Sequence, residues 1–367
     1  MDPVPSAMDP RTTYDLVGLD AAEQTLLDGW ASERLHHAWM ITGPRGVGKA
    51  TLAHRFARFL LAHQKPERGG GLFDDAPVLP DNLYVPPDHP VSRRIAAEAH
   101  GDLRVLSQGV DPRTGRERNE IVIGDVRALN DFFAKTSAEG GWRVAIIDSA
   151  DALNRNAANA LLKTLEEPPA RSILLLVAHR PGRVLATIRS RCRQLSVKPL
   201  DHQTVSTFLA DRLPDLAEED RHVLAALAEG SPGRALQLAQ ADGLTLYRDL
   251  ISLIDKLPDL PPRAVLALGD AVAGKGRDGG FALFSELLTG ILVRLVRNMA
   301  NPGLGGVPGE AEILQRLGGM SDLDRWIEVW EKSSELNRQC EALNLDRRQM
   351  VVTMLNGLAS AARGVSA

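Results

Sequence analysis

One short run combines the residue types needed to hold a phosphate: Gly43-Pro44-Arg45-Gly46-Val47-Gly48-Lys49. It fits G-x-x-x-x-G-K-[ST] up to the last place, where Ala50 stands instead of Ser or Thr. Backbone N–H groups of such a glycine turn, with a helix N-terminus behind them, form a concave anion site. Lys49 supplies a point charge for terminal phosphates. The missing hydroxyl is the oxygen that normally holds Mg²⁺. Thr51 is one residue too late to replace it, because a helical step turns it to another direction. A second candidate lies further on: Asp148 closes the apolar run Arg143-Val144-Ala145-Ile146-Ile147 and is suited to Mg²⁺. The residue after it is Ser149, and a hydroxyl cannot act as a carboxylate base near neutral pH. The nucleotide-binding set is thus Gly43, Pro44, Arg45, Gly46, Val47, Gly48, Lys49, Ala50, Thr51 and Asp148. Such a loop is fit to hold a nucleotide and poorly equipped to hydrolyse it.

These residues need a sheet to position them. Apolar runs at Ala38–Thr42, Leu103–Ser107, Arg143–Asp148, Ser172–Ala178 and Gln194–Val197 predict five strands. Ile173-Leu174-Leu175-Leu176-Val177 does not alternate with polar residues, which suits a strand buried on both faces of a parallel sheet. Helical stretches between the strands, Ala50–Leu61 among them, make an α/β three-layer domain over residues 1–197. Gln64 to Pro90 is rich in Pro and Gly without periodicity and reads as a loop insertion. Beyond Lys198-Pro199 no strand is expected. Three short helices between His202 and Asp242 form a small domain over 198–243, and an all-helical domain fills 244–367, broken at Pro258–Pro262 and Asn301–Gly309. Leu323, Trp326, Ile327 and Trp330 recur at helical spacing and predict one buried face.

Composition narrows the function classes. A 367-residue chain with 44% hydrophobic and 25% charged residues is an ordinary globular protein. Its net charge of −4 and 4% aromatic content argue against a protein that coats nucleic acid or stacks bases by itself. Arg93 and Arg94 are a candidate phosphate-contacting pair, more simply read as solvated. The two cysteines, Cys192 and Cys340, are too few for a zinc cluster or a disulfide framework. The N-terminus has neither the basic start nor the apolar core of a signal peptide, and no apolar run is long enough for a membrane span. A cytoplasmic protein is expected.

A longer set of motifs is more specific than the phosphate loop. Asn156-Ala157-Ala158-Asn159-Ala160-Leu161-Leu162-Lys163-Thr164-Leu165-Glu166-Glu167-Pro168-Pro169 precedes the fourth strand, and Ile188-Arg189-Ser190-Arg191-Cys192 precedes the fifth. With Leu35-His36-His37-Ala38 before the loop, this order closely resembles the clamp-loader subunits of bacterial DNA polymerase III, an AAA+ family. Within it the chain looks like the δ′ branch rather than the γ/τ motor branch. The resemblance runs from about Asp15 to Leu236 and implies an AAA+ P-loop domain, a helical lid and a C-terminal collar that holds a ring of five subunits. It implies as partners the γ/τ motor and δ subunits, with the sliding clamp and primed DNA reached through the complex. Active AAA+ ATPases usually carry Glu where Ser149 stands, so two catalytic parts are absent together. ATP or ADP is the expected ligand, held weakly, with a purely structural turn as the alternative.

The same resemblance assigns Arg191 to an arginine finger that reaches the neighbouring subunit's ATP site. A guanidinium offers fixed donors to charge spreading over a transferring phosphoryl group. The alternative for Arg191 is a structural role, closing a helix and paired with a carboxylate. Family members often carry four zinc-binding cysteines in the first domain. The corresponding stretch here, Gln64 to about His100, has none, so no zinc is expected. A sensor Arg follows Gly-Ser in the motor branch, whereas in Gly230-Ser231-Pro232-Gly233-Arg234 it is displaced by one place, about 100° around a helix. Arg234 is therefore expected to pair locally or face solvent. An autonomous ATPase resembling the γ/τ motor is the competing enzyme reading. A small-molecule P-loop kinase suits the long helical C-terminal half less well.

Overall fold

The computed structural model describes residues 9–32, 34–63, 80–109, 118–137, 140–274, 279–301, 306–343 and 345–364. Two compact units emerge, one of residues 1–204 with 231–233, the other of 205–230 with 234–367. The first opens with α1 (Asp20–Ala31), β1 (Ala38–Thr42), α2 (Lys49–Ala62) and α3 (Pro90–Ala96). It continues through β2 (Leu103–Leu106), α4 (Ile123–Ala134), β3 (Arg143–Asp148), α5 (Arg155–Glu166), β4 (Ser172–Ala178), α6 (Ala186–Arg189) and β5 (Arg193–Ser196). The expected strands are all present, with ends shifted by at most one residue. Of the expected loop insertion, residues 64–79 lie outside the described residues, and from 80 to 89 there is neither helix nor strand.

The strands form one sheet in the order β2-β3-β4-β1-β5, every pairing parallel. Non-alternating sequence is explained by two cores, one on each face. Trp39, Ile41, Leu175 and Val177 meet Leu52, Phe56 and Leu60 of α2 on one side. Met40, Leu174, Leu176 and Ile147 meet Leu129 of α4 and Leu161 of α5 on the other. The interior residues of the central strands β3, β4 and β1 are thus apolar whichever way they point, as a sheet covered on both faces requires, whereas the edge strands β2 and β5 carry exposed polar residues.

Three buried polar links fasten the first unit's N-terminal part to α2. Glu23 Oε1 accepts bonds from Arg55 Nε (2.7 Å) and from the Leu83 N–H (2.8 Å). Arg55 Nη1 also donates to Tyr14 O at 2.7 Å. Arg58, almost fully buried, donates to Arg11 O and Thr13 O, both at 2.9 Å. These guanidinium groups satisfy carbonyls of a segment that makes no sheet bonds, so burying them leaves few polar groups unpaired.

The second unit is helical. It holds α7 (His202–Arg212), α8 (Glu218–Leu227), most of α9 (Pro232–Gln240), α10 (Gly243–Ile254) and α11 (Pro262–Ala273). After them come α12 (Gly280–Ala300), α13 (Ala311–Gly318), α14 (Leu323–Leu343) and α15 (Arg347–Ala362). Trp326 is completely buried, and Leu323, Ile327 and Trp330 are half-buried beside it on α14. Its most demanding polar contact is bidentate: Arg294 Nε and Nη2 reach Glu310 Oε2 and Oε1 at 2.7 and 2.8 Å, with Glu310 wholly buried.

Removing one partner of that pair leaves an uncompensated charge inside. Arg294→Leu is expected to lower stability by about 3–5 kcal/mol, and adding Glu310→Leu to recover most of the loss. Urea unfolding followed by tryptophan fluorescence checks this. A single mutant that melts with the parent contradicts it.

Candidate functional site

The phosphate loop leaves β1 at its C-terminal end and enters α2 at Lys49. Gly43 has φ 146°, and a Cβ there would meet Val197 O at 2.3 Å, so no side chain fits. Gly48 caps α2 with φ 103°, a left-handed turn that glycine adopts without steric cost. Pro44 and Arg45 are exposed, Gly46 and Ala50 half-buried, and Val47 and Thr51 buried. The N–H groups of the first helical turn have no intrahelical partners by geometry, so the loop retains an anion cradle. On its rim the Gly233 N–H donates to Gly46 O at 2.9 Å.

Lys49 turns inward instead of standing ready for phosphate. Its Nζ donates to Gly43 O (2.7 Å) and Pro44 O (2.5 Å), and the residue is 2% exposed. Burial lowers its pKa to about 8, with Asp148 and Asp151 pulling it back up and Arg45 pushing it down. Any phosphate entering the loop must compete with two backbone carbonyls for this ammonium. The loop geometry fits a nucleotide, and the residues that would hold it are the backbone of 45–49 with Lys49. At Ala50 no oxygen is offered to a metal.

Asp148 ends β3 beside these groups. Burial raises its pKa above the ordinary carboxylate value, opposed by the positive charges of Lys49 and Arg45. Sequence reasoning did not single out Asp151 or His179, which complete the cluster. Asp151 Oδ1 accepts the His179 N–H at 2.9 Å, tying the segment after β3 to the end of β4. Burial, then Lys49 and Arg45, push the His179 imidazole down to about 4, against the pull of Asp151, and its Nδ1 is buried without a partner. The available signal was the second Asp in Asp148-Ser149-Ala150-Asp151. A cavity of about 440 Å³ opens next to Asp148, walled also by His54, Arg104 and Ser107.

Arg191 lies away from this cluster, and strand register says how far. Thr42, at the head of the phosphate loop, pairs with Ser196, whereas Arg193 pairs with Trp39 near the start of β1. Three strand steps, about 10 Å, separate those levels. Arg191 is two residues further back, at the opposite edge of the sheet from its own loop. It follows α6, with its N–H bonded to Ile188 O at 3.0 Å. Its side chain is 37% exposed, with Nη2 on Glu166 Oε1 (2.7 Å) and Nη1 on Thr187 O (2.9 Å). The last turn of α5 is fixed at the same edge, because His37 Nε2, just before β1, bonds to Leu165 O at 3.0 Å. Cys192 is buried, and its thiol is pushed up to about 12. In the second unit Arg234 pairs with Glu286 at 2.8 Å and Glu229 at 3.9 Å. Of the Arg93–Arg94 pair on α3, Arg93 is exposed and Arg94 half-buried.

An all-parallel five-stranded sheet, a glycine loop between β1 and α2 and an acidic end to β3 define a P-loop α/β protein. The family described as DNA polymerase III, delta subunit, matches residues 19–201. The DNA polymerase III subunit δ′ of Pseudomonas aeruginosa is 37% identical over 203 residues, 55% of this chain and 55% of that protein. Its Escherichia coli counterpart is 31% identical over 220 residues, 60% of this chain and 59% of that one. The E. coli τ subunit is 30% identical over 375 residues, 95% of this chain and 54% of τ. The chain spans about half the length of the curated relatives it matches. It belongs to the clamp-loader family of DNA polymerase III subunits, on its δ′ branch. Among the described residues no helix is long and apolar enough to cross a membrane.

The buried lysine fixes a pH dependence. An ammonium with folded pKa about 8 is lost as pH rises through that value, so ATP affinity is expected to fall from pH 7 to pH 9. Stability responds in the opposite sense: an unfolded lysine titrates near 10.5, so the unfolded chain binds more protons between the two values and stability rises with pH there. Fluorescence titration with ATP, with and without Mg²⁺, checks the first statement. Lys49→Gln should remove the pH dependence, and an unchanged slope in that variant argues against Lys49 as its source.

Proposed function

We propose that this chain acts as the δ′ subunit of a DNA polymerase III clamp loader, a largely non-hydrolysing AAA+ scaffold. In this reading Arg191 is an arginine finger donated to the ATP site of a neighbouring γ/τ-type motor subunit during loading of a sliding clamp on primed DNA. The δ subunit is the other neighbour in the assembly. Residues 198–243 serve as the helical lid and 244–367 as the collar, and any contact with DNA runs through the complex. ATP or ADP, if held, is bound weakly by the loop of Gly43 to Lys49.

One observation carries the reading. Arg191 is half-exposed at the sheet edge opposite its own phosphate loop, so a nucleotide it serves must belong to another chain. Its own loop supports the complementary half of the argument. Ala50 offers no metal oxygen, Ser149 no carboxylate, and Lys49 is bonded to loop carbonyls. Similarity to τ over most of the chain favours an autonomous ATPase as the second reading. Mg²⁺-dependent turnover by the isolated chain would support that alternative.

Arginine fingers supplied in trans are worth about 10³–10⁵ in rate. Arg191→Ala in the assembled loader is expected to cut turnover at the adjoining motor site by about 10³ or more, with the isolated chain inactive before and after. Single-turnover ATP hydrolysis in the complex measures it. A mutant complex as fast as the parent refutes the finger.

A further inference from the structure

We infer that Glu166 is a positioning residue for the Arg191 guanidinium, an inference that rests on the finger reading above. Glu166 is the last residue of α5, and Arg191 follows α6; only tertiary packing brings them together. The contact is short, with Arg191 Nη2 at 2.7 Å from Glu166 Oε1, and a second bond runs from Nη1 to Thr187 O at 2.9 Å. The two acceptors take one donor from each terminal nitrogen, which fixes the plane of the guanidinium. Five N–H donors exist on that group, so others remain to meet a phosphoryl oxygen.

Stability does not account for the pair. Both side chains are substantially exposed, 37% and 50%, and exposed ion pairs contribute little to folding. Its effect falls on the arginine's own freedom. An unrestrained arginine loses much rotamer entropy when it is ordered in a transition state, and prior fixation removes part of that cost. The position of the acceptor also suits the task. The C-terminal end of α5 carries the negative pole of the helix, which adds to the attraction for a cation there. His37 anchors that end through Leu165 O, so the carboxylate is offered from a held point rather than from a loop. The neighbouring Glu167 is exposed and has no such partner among the contacts described, which makes it a matched control.

The test uses the assembled loader with its own motor and δ subunits. Glu166→Ala is expected to lower kcat for ATP about tenfold with KM unchanged, since orientation is lost in the transition state and not in ground-state binding. Glu166→Gln keeps an oxygen acceptor and should stay within about twofold of the parent, on the same reasoning. Glu167→Ala should have no effect. Arg191→Ala combined with Glu166→Ala should match Arg191→Ala alone, because a positioning residue has nothing left to position. If Arg191→Ala collapses turnover while Glu166→Ala matches the parent, the role of Glu166 is overturned and the finger stands. A Glu166→Ala complex faster than the parent also overturns it, by making the carboxylate a restraint. If Arg191→Ala itself changes nothing, the finger reading fails, and with it this one.

Discussion

Everything chemical in the first unit depends on the common direction of its five strands. In a parallel sheet all C-terminal ends share one edge, and each connection must cross back over a face. The phosphate loop and His179 follow the C-terminal ends of β1 and β4, and Asp148 closes β3, so the topology brings all three to one edge. Arg191 precedes β5, and α5 runs back across the sheet before it ends at Glu166, so these two arrive at the other edge. The separation between loop and arginine follows from topology. No local rearrangement of side chains could bring Arg191 to its own loop while β1 and β5 remain paired.

This division makes sense of what the nucleotide cluster lacks. A competent hydrolytic site needs a metal, a positioned water and charge stabilisation in one place. Here the loop keeps the backbone shape and the lysine, while Ala50 and Ser149 withhold metal ligand and base. The inward lysine is compensated by the loop carbonyls of Gly43 and Pro44. Burial lowers its pKa, and Asp148 and Asp151 offset that only in part. The imidazole of His179, pushed low by burial and the same cations, stays neutral beside it.

Much of this was legible in the sequence, and the boundary between what was and was not is physical. Strands buried on both faces must be continuously apolar, so the runs at β1, β3 and β4 could be read directly. The helices of the second unit were visible for the complementary reason, a period near that of the α-helix between Pro and Gly breaks. Missing groups were legible too, because Ala50 and Ser149 are identities and not conformations. The direction of Lys49 was hidden, since a motif specifies a residue type and leaves its rotamer to local acceptors. Asp151 and His179 meet through a bond between strand ends, which no spacing along the chain encodes. Glu166 stood inside a run quoted for its resemblance, yet choosing between it and Glu167 requires knowing which side of α5 faces the segment after α6. Arg234 was expected to pair locally or face solvent, and its bond to Glu286 was not foreseen, because that partner sits on a distant helix.

Placement of the arginine also explains why its surroundings are weakly bonded. On the finger reading proposed above, a guanidinium that meets another chain from its own surface contacts cannot be buried, since freeing a buried charge from good partners costs several kcal/mol. Arg294 shows that opposite case within the same chain, doubly bonded to a carboxylate with no exposure at all. Arg191 keeps one carboxylate and one carbonyl, both at the surface. Such contacts, at about 0–1 kcal/mol for an exposed pair, bias the rotamer and leave further N–H donors of the guanidinium for a phosphate. On that reading the difference between Arg294 and Arg191 is the dielectric around each, seen in the exposure of their partners.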